Sequence, residues 1–99
     1  MPRVYVLNKG AYDYSAAERY GVLVYCTEGH LKKHDLNQMW RLMHSALDDS
    51  DEDDYILLTS LTSLCSIACA IFAVKHKRLN LLVHHDSGYD AHKIILTGV

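Results

Sequence analysis

Several stretches of this sequence hold side chains that can bind or react. One runs Asn8-Lys9-Gly10-Ala11-Tyr12-Asp13 and combines an amide, an ammonium, a phenol and a carboxylate. A second is the hydroxyl cluster Thr59-Ser60-Leu61-Thr62-Ser63. A third, Asp48-Asp49-Ser50-Asp51-Glu52-Asp53-Asp54, packs five Asp and one Glu into seven residues. Cys26, His30 and His34 are spaced by four.

The first two stretches suit an anion. Hydroxyls at the start of a helix, beside its free N–H groups, favour phosphate or carboxylate. Lys9 would neutralise charge, and Tyr12 or Tyr14 would pack on a ring. The ligand-binding candidates are therefore Asn8, Lys9, Tyr12, Asp13, Thr59, Ser60 and Thr62. The plainer reading is that Thr59 to Ser63 only cap a helix. Neither GxGxxG nor GxxxxGK[ST] occurs, so no dinucleotide or nucleoside-triphosphatase signature supports catalysis.

The acidic run is no calcium loop. Such a loop needs Gly at its sixth place and Glu at its twelfth. Counted from Asp49, those places hold Asp54 and Ser60. A solvated loop is the simple reading. The alternative is that Asp51, Glu52, Asp53 and Asp54 dock on a basic host protein, with complementary charge setting the orientation.

Cys26, His30 and His34 are zinc-ligand types. Gly29 interrupts a shared helical face, and no fourth ligand is evident, so no metal or cofactor is assigned. Cys26 and His30 can be drawn as nucleophile and base. No triad accompanies them, and no catalytic residue is assigned; an enzyme ranks third among the readings. His84 and His85 are adjacent on a strand and face opposite ways. Cys65 and Cys69 fall on an apolar helix and read as core.

The elements that must position these groups follow from periodicity. Arg3 to Asn8 reads as a strand ended by Lys9-Gly10. Tyr14 to Tyr20 reads as a short helix capped by Asp13 and stopped by Gly21. Val22 to Thr27 is nearly continuous apolar, which suits a strand covered on both faces. Asp35 caps an amphipathic helix to about Leu47, with Leu36, Met39, Trp40, Met43 and Leu47 recurring at helical spacing. Tyr55 to Thr59 is a third strand. Leu61 to Lys77 is a helix apolar over most of its circumference, predicted to be buried. Leu79 to His85 and Tyr89 to Leu96 form a hairpin around Asp86-Ser87-Gly88.

The order β-α-β-α-β-α-β-β implies an α/β fold. The expected architecture is a small Rossmann-like three-layer sandwich, with a mostly parallel sheet and an antiparallel C-terminal edge hairpin. Its 99 residues form a single domain, 1–99. In such sheets ligands bind at the C-terminal edge. The loops after the first and third strands should lie there, with the acidic run at the opposite end. A sheet this small is helped by a second copy, so a homodimer is expected.

Composition narrows the setting. A net charge of −2 gives no field to draw the chain to nucleic acid or membrane. Three cysteines, an odd number, argue against a disulfide scaffold and for a reducing compartment. No secretory signal is visible at the N-terminus, where Met1-Pro2-Arg3 leads straight into an alternating apolar stretch. Residues 55–74 carry no charge over 20 positions, about the length of a membrane span, with basic residues after them. The hydroxyl cluster inside the segment favours a strand, a loop and a helix instead.

The stretches Val4-Tyr5-Val6-Leu7-Asn8-Lys9-Gly10, Asp13-Tyr14-Ser15, Asp54-Tyr55-Ile56-Leu57-Leu58-Thr59 and Arg78-Leu79-Asn80-Leu81-Leu82 resemble small uncharacterised bacteriophage-encoded α/β proteins. The pattern has His before Asp-Tyr-Ser and Gly after the Thr. Here those places hold Tyr12 and Ser60. The resemblance implies a viral origin and the cytoplasm of a bacterial host, and it supplies no mechanism. The reading for function is non-catalytic binding of a small anionic or nucleotide-like ligand that antagonises host defence. A protein-protein inhibitor using the acidic surface 48–54 is the alternative.

Overall fold

The computed structural model describes residues 1–59 and 61–98. Ser60 therefore lies outside the described residues. The chain forms β1 (Arg3–Val6), a 3-10 turn (Ser15–Arg19), β2 (Val22–Tyr25), α1 (Leu36–Ala46), β3 (Tyr55–Leu57), α2 (Thr62–His76), β4 (Arg78–His85) and β5 (Gly88–Ile95). The strands lie in the order β2-β1-β3-β4-β5. All neighbours are parallel except β4 and β5, which are antiparallel. The α/β class, the mostly parallel sheet and the antiparallel edge agree with the sequence.

Strand alternation builds two cores. Tyr5, Leu7 and Ile56 face one way and meet Met39, Met43 and Leu47 from α1 and Leu64, Ala68 and Phe72 from α2. Val4, Val6, Tyr55, Leu57 and Leu82 face the other way and meet Tyr14 and Ala17. Both α-helices thus share one face, and the short 3-10 turn covers the other. Each fully buried Leu or Phe contributes about 1.5–3 kcal/mol.

Local signals act where expected. Asp35 caps α1, its Oδ1 accepting from the Gln38 N–H at 3.0 Å. Gly21 lets the turn close against the N-terminal strand, where Val22 N–H donates to Pro2 O at 2.9 Å. A Cβ at Gly21 would sit 2.3 Å from that oxygen. Asp86 takes φ 55 in the hairpin turn.

Some expectations are corrected. The segment 14–20 is a five-residue 3-10 turn, and Asp13 Oδ1 holds the Ser15 N–H at 2.9 Å just ahead of it. β2 is not covered on both faces: it is an edge strand, with Val22 54% and Tyr25 41% exposed. α2 is not buried all round. Leu64, Ala68 and Phe72 face the core, and Val74 is 74% exposed. The reason is that α1 flanks α2 on one side only, leaving its outer stripe bare. The uncharged segment 55–74 is divided between β3 and α2. Among the described residues no helix is long and apolar enough to cross a membrane.

Candidate functional site

β1 and β3 are hydrogen-bonded neighbours, yet the chain leaves them toward opposite faces. After β1 it turns to the side of the 3-10 turn, and after β3 to the side of the helices. At such a switch point open α/β sheets bind ligands, in a crevice beyond the C-terminal ends of the strands. Residues 8–13 follow β1 at this end, and the described residues Thr59, Leu61 and Thr62 follow β3.

The loop after β1 is held by its neighbour. Thr27 Oγ1 donates to Leu7 O at 2.7 Å and lies 2.9 Å from Asn8 Oδ1. Asn8 Nδ2 donates to Gly29 O at 3.0 Å, and Lys9 N–H donates to Thr27 O at 2.8 Å. Asn8 is thus spent on fixing the loop. The Lys9 ammonium lies over the Tyr25 ring, 5.2 Å from its centroid. Tyr12 is 79% exposed. Its ring is 6.5 Å from that of Tyr14, which is 6.4 Å from that of Tyr25. Successive rings are tilted by 58° and Tyr14 is buried, so Tyr12 and Tyr25 are the rings exposed to solvent, with the Lys9 cation over Tyr25.

Sequence reasoning missed Tyr25. The available signal was alternation: Leu23 packs with the 3-10 face and Val24 with the helix face, so Tyr25 returns to the side of Tyr14.

On the other flank, Leu61 holds the cap position of α2, and its apolar side chain makes no cap hydrogen bond. Thr62 is exposed in the first turn, its carbonyl accepting from Ser66 Oγ at 2.9 Å. Thr59 is half-buried, and its carbonyl accepts from Cys65 Sγ at 3.0 Å. The fold thus brings Lys9 and Tyr25 together, links Tyr12 to Tyr25 through Tyr14, and sets Thr59 and Thr62 after the neighbouring strand β3. Asp13 is exposed, and the Ser15 N–H it accepts lowers its carboxyl pKa.

The acidic run divides. Asp51, Glu52 and Asp53 are exposed. Asp54 turns inward and is 2% exposed, accepting from the N–H groups of Arg3 and Asp51, each at 2.8 Å. Arg3 also donates to Asp49 O at 2.6 Å, and Lys75 Nζ bonds the carbonyls of Leu47 and Asp48. Asn80, fully buried, donates to Glu52 O and Asp54 O.

Burial pushes the Cys26 thiol up to about 12, which leaves almost no thiolate at neutral pH. Burial raises Cys69 to about 11 and raises Cys65 as well. His30 and His34 are exposed. Among the described residues no group of three or more His, Cys, Asp or Glu converges to hold a metal ion. Away from the crevice, Trp40, His44, Leu47, Ile67, Ile71 and Val74 line an apolar groove of about 570 Å³ between the outer sides of α1 and α2.

No curated protein and no solved structure matches the chain. A family model does, that of the phage Pam3 gp32-like protein, over residues 2–94. The match takes in all five strands but the last residue of β5, and both loops of the crevice. The chain belongs to the phage Pam3 gp32-like protein family.

Proposed function

We propose that this chain is a non-catalytic phage accessory protein that binds a small anionic or nucleotide-like ligand at the C-terminal edge of its sheet. The observation that carries the reading is the Lys9 ammonium above the Tyr25 ring at the C-terminal ends of β1 and β2, with Tyr12 exposed on the same loop as Lys9. The reversal of strand order at the β1–β3 switch point supports treating the sheet as Rossmann-like in how it presents a ligand. Lys9 neutralises the anion, Tyr12 and Tyr25 pack on a ring, and the first turn of α2 with Thr62 receives phosphate oxygens. Sequestering such a ligand in the bacterial cytoplasm would antagonise a host defence that signals through it. Membership of a phage family supports that setting.

The docking alternative has less in its favour. Asp54 is buried, so the exposed carboxylates of the surface 48–54 are Asp48, Asp49, Asp51, Glu52 and Asp53.

The test is an NMR titration with a nucleoside monophosphate. The amides of 8–13 and 59–63 shift together in the wild type, and a Lys9→Ala/Thr62→Ala variant loses the shifts while keeping its fold. No shift at millimolar ligand overturns the reading.

A further inference from the structure

β5 is the last strand of the sheet among the described residues, and six consecutive positions, Asp90 to Ile95, are exposed. A strand with one covered face would alternate. Ile94 and Ile95 are 45% and 57% exposed and point to opposite faces, so both faces carry bare apolar surface. The edge groups can be assigned. Leu58 N–H donates to Leu82 O, so Leu82 points its backbone groups at β3, and Leu81 and Val83 point theirs at β5. Leu96 N–H donates to Lys77 O in the same phase. The N–H and C=O groups of Asp90, His92 and Ile94 therefore face β4, and those of Ala91, Lys93 and Ile95 face the open edge.

We propose that β5 is a homodimer seam, a second copy pairing antiparallel along Gly88–Ile94 with Ala91 on the two-fold axis. A two-fold axis normal to the sheet keeps each face on its own side, so odd residues pair with odd and even with even. With Ala91 on the axis, Asp90 lies opposite His92 of the second copy, and Tyr89 lies opposite Lys93, each twice by symmetry. An axis on Asp90 or Lys93 would set like charges opposite each other. An axis on His92 would set Asp90 against Ile94. Cross-strand pairs of opposite charge stabilise a sheet and like charges destabilise it. Asp90 Oδ2 already lies 3.2 Å from His85 Nδ1, and the carboxylate keeps lone pairs for a second imidazole. Tyr89 O accepts from Tyr20 Oη at 2.8 Å and likewise has a second lone pair for the facing Lys93 N–H. The result is a continuous ten-stranded sheet, twice the five of one copy, with the ligand crevice of each copy left open.

Sedimentation equilibrium over micromolar to millimolar chain tests this. The wild type is dimeric. Ala91→Pro removes an N–H that β4 does not use, which an edge strand tolerates. It is monomeric with unchanged circular dichroism. Asp90→Lys raises the dimer dissociation constant about tenfold or more, and adding His92→Asp restores it. A monomeric wild type, a folded Ala91→Pro dimer, or an Asp90→Lys dimer of unchanged affinity overturns the proposal. Should Ala91→Pro fail to fold, the Asp90 and His92 pair decides alone.

Discussion

The backbone N–H of Arg3 donates to Oδ1 of Asp54 at 2.8 Å, joining the first residue of β1 to the residue before β3. The same carboxylate accepts from Asp51 N–H at 2.8 Å and lies 3.5 Å from Arg3 Nε. One buried side chain thus fixes the entry of two central strands whose far ends frame the crevice.

Asp54→Ala leaves these donors without their acceptor and is expected to cost roughly 3 kcal/mol. Asp54→Asn keeps one acceptor oxygen and costs less. Urea unfolding checks the order, and an Asp54→Ala midpoint equal to wild type would contradict this role.

Tyr5 places its hydroxyl in the core with no hydrogen-bond partner among the described residues, and burial pushes its pKa up to about 12. A desolvated hydroxyl without a partner is a net cost. Tyr5→Phe is therefore expected to stabilise the fold by about 1 kcal/mol. A lower melting temperature would show that the hydroxyl is paired in solution.

His76 gives the fold an acid sensitivity. Its Nε2 lies 2.8 Å from Ser50 Oγ, and burial, then Lys75, lowers its pKa below 6.5. The folded state binds the proton less readily than the unfolded chain. Stability from this residue is thus present above pH 6.5 and lost as pH falls through the folded pKa. His76→Gln should flatten the stability profile below that pH. An unchanged slope would assign the acid sensitivity elsewhere.

Features that rest on neighbouring residues were legible in the sequence. The Asp35 cap, the hairpin around Asp86 and the order of strands and helices all depend on short-range periodicity and turn chemistry. The pairing of β1 with β3, the two strands that the candidate loops follow, agrees with the expected parallel sheet. What was hidden depends on distant contacts. Nothing near Asp54 announces that Arg3, 51 residues away, draws it inward. β2 has the composition of an enclosed strand and lies at an edge: Leu23 packs on one face and Val24 on the other, while Val22 and Tyr25 stay exposed. Tyr25 joined the candidate site only when the rings of Tyr14 and Tyr12 were placed beside it.

Ligand binding at the sheet edge is tested most simply by native mass spectrometry of the chain recovered from phage-infected bacteria, with Lys9→Ala/Thr62→Ala prepared in parallel. A non-covalent adduct of nucleotide-like mass is expected on the wild type and absent from the double variant. A bare wild-type chain, or an adduct that the double variant retains, would refute binding at this crevice.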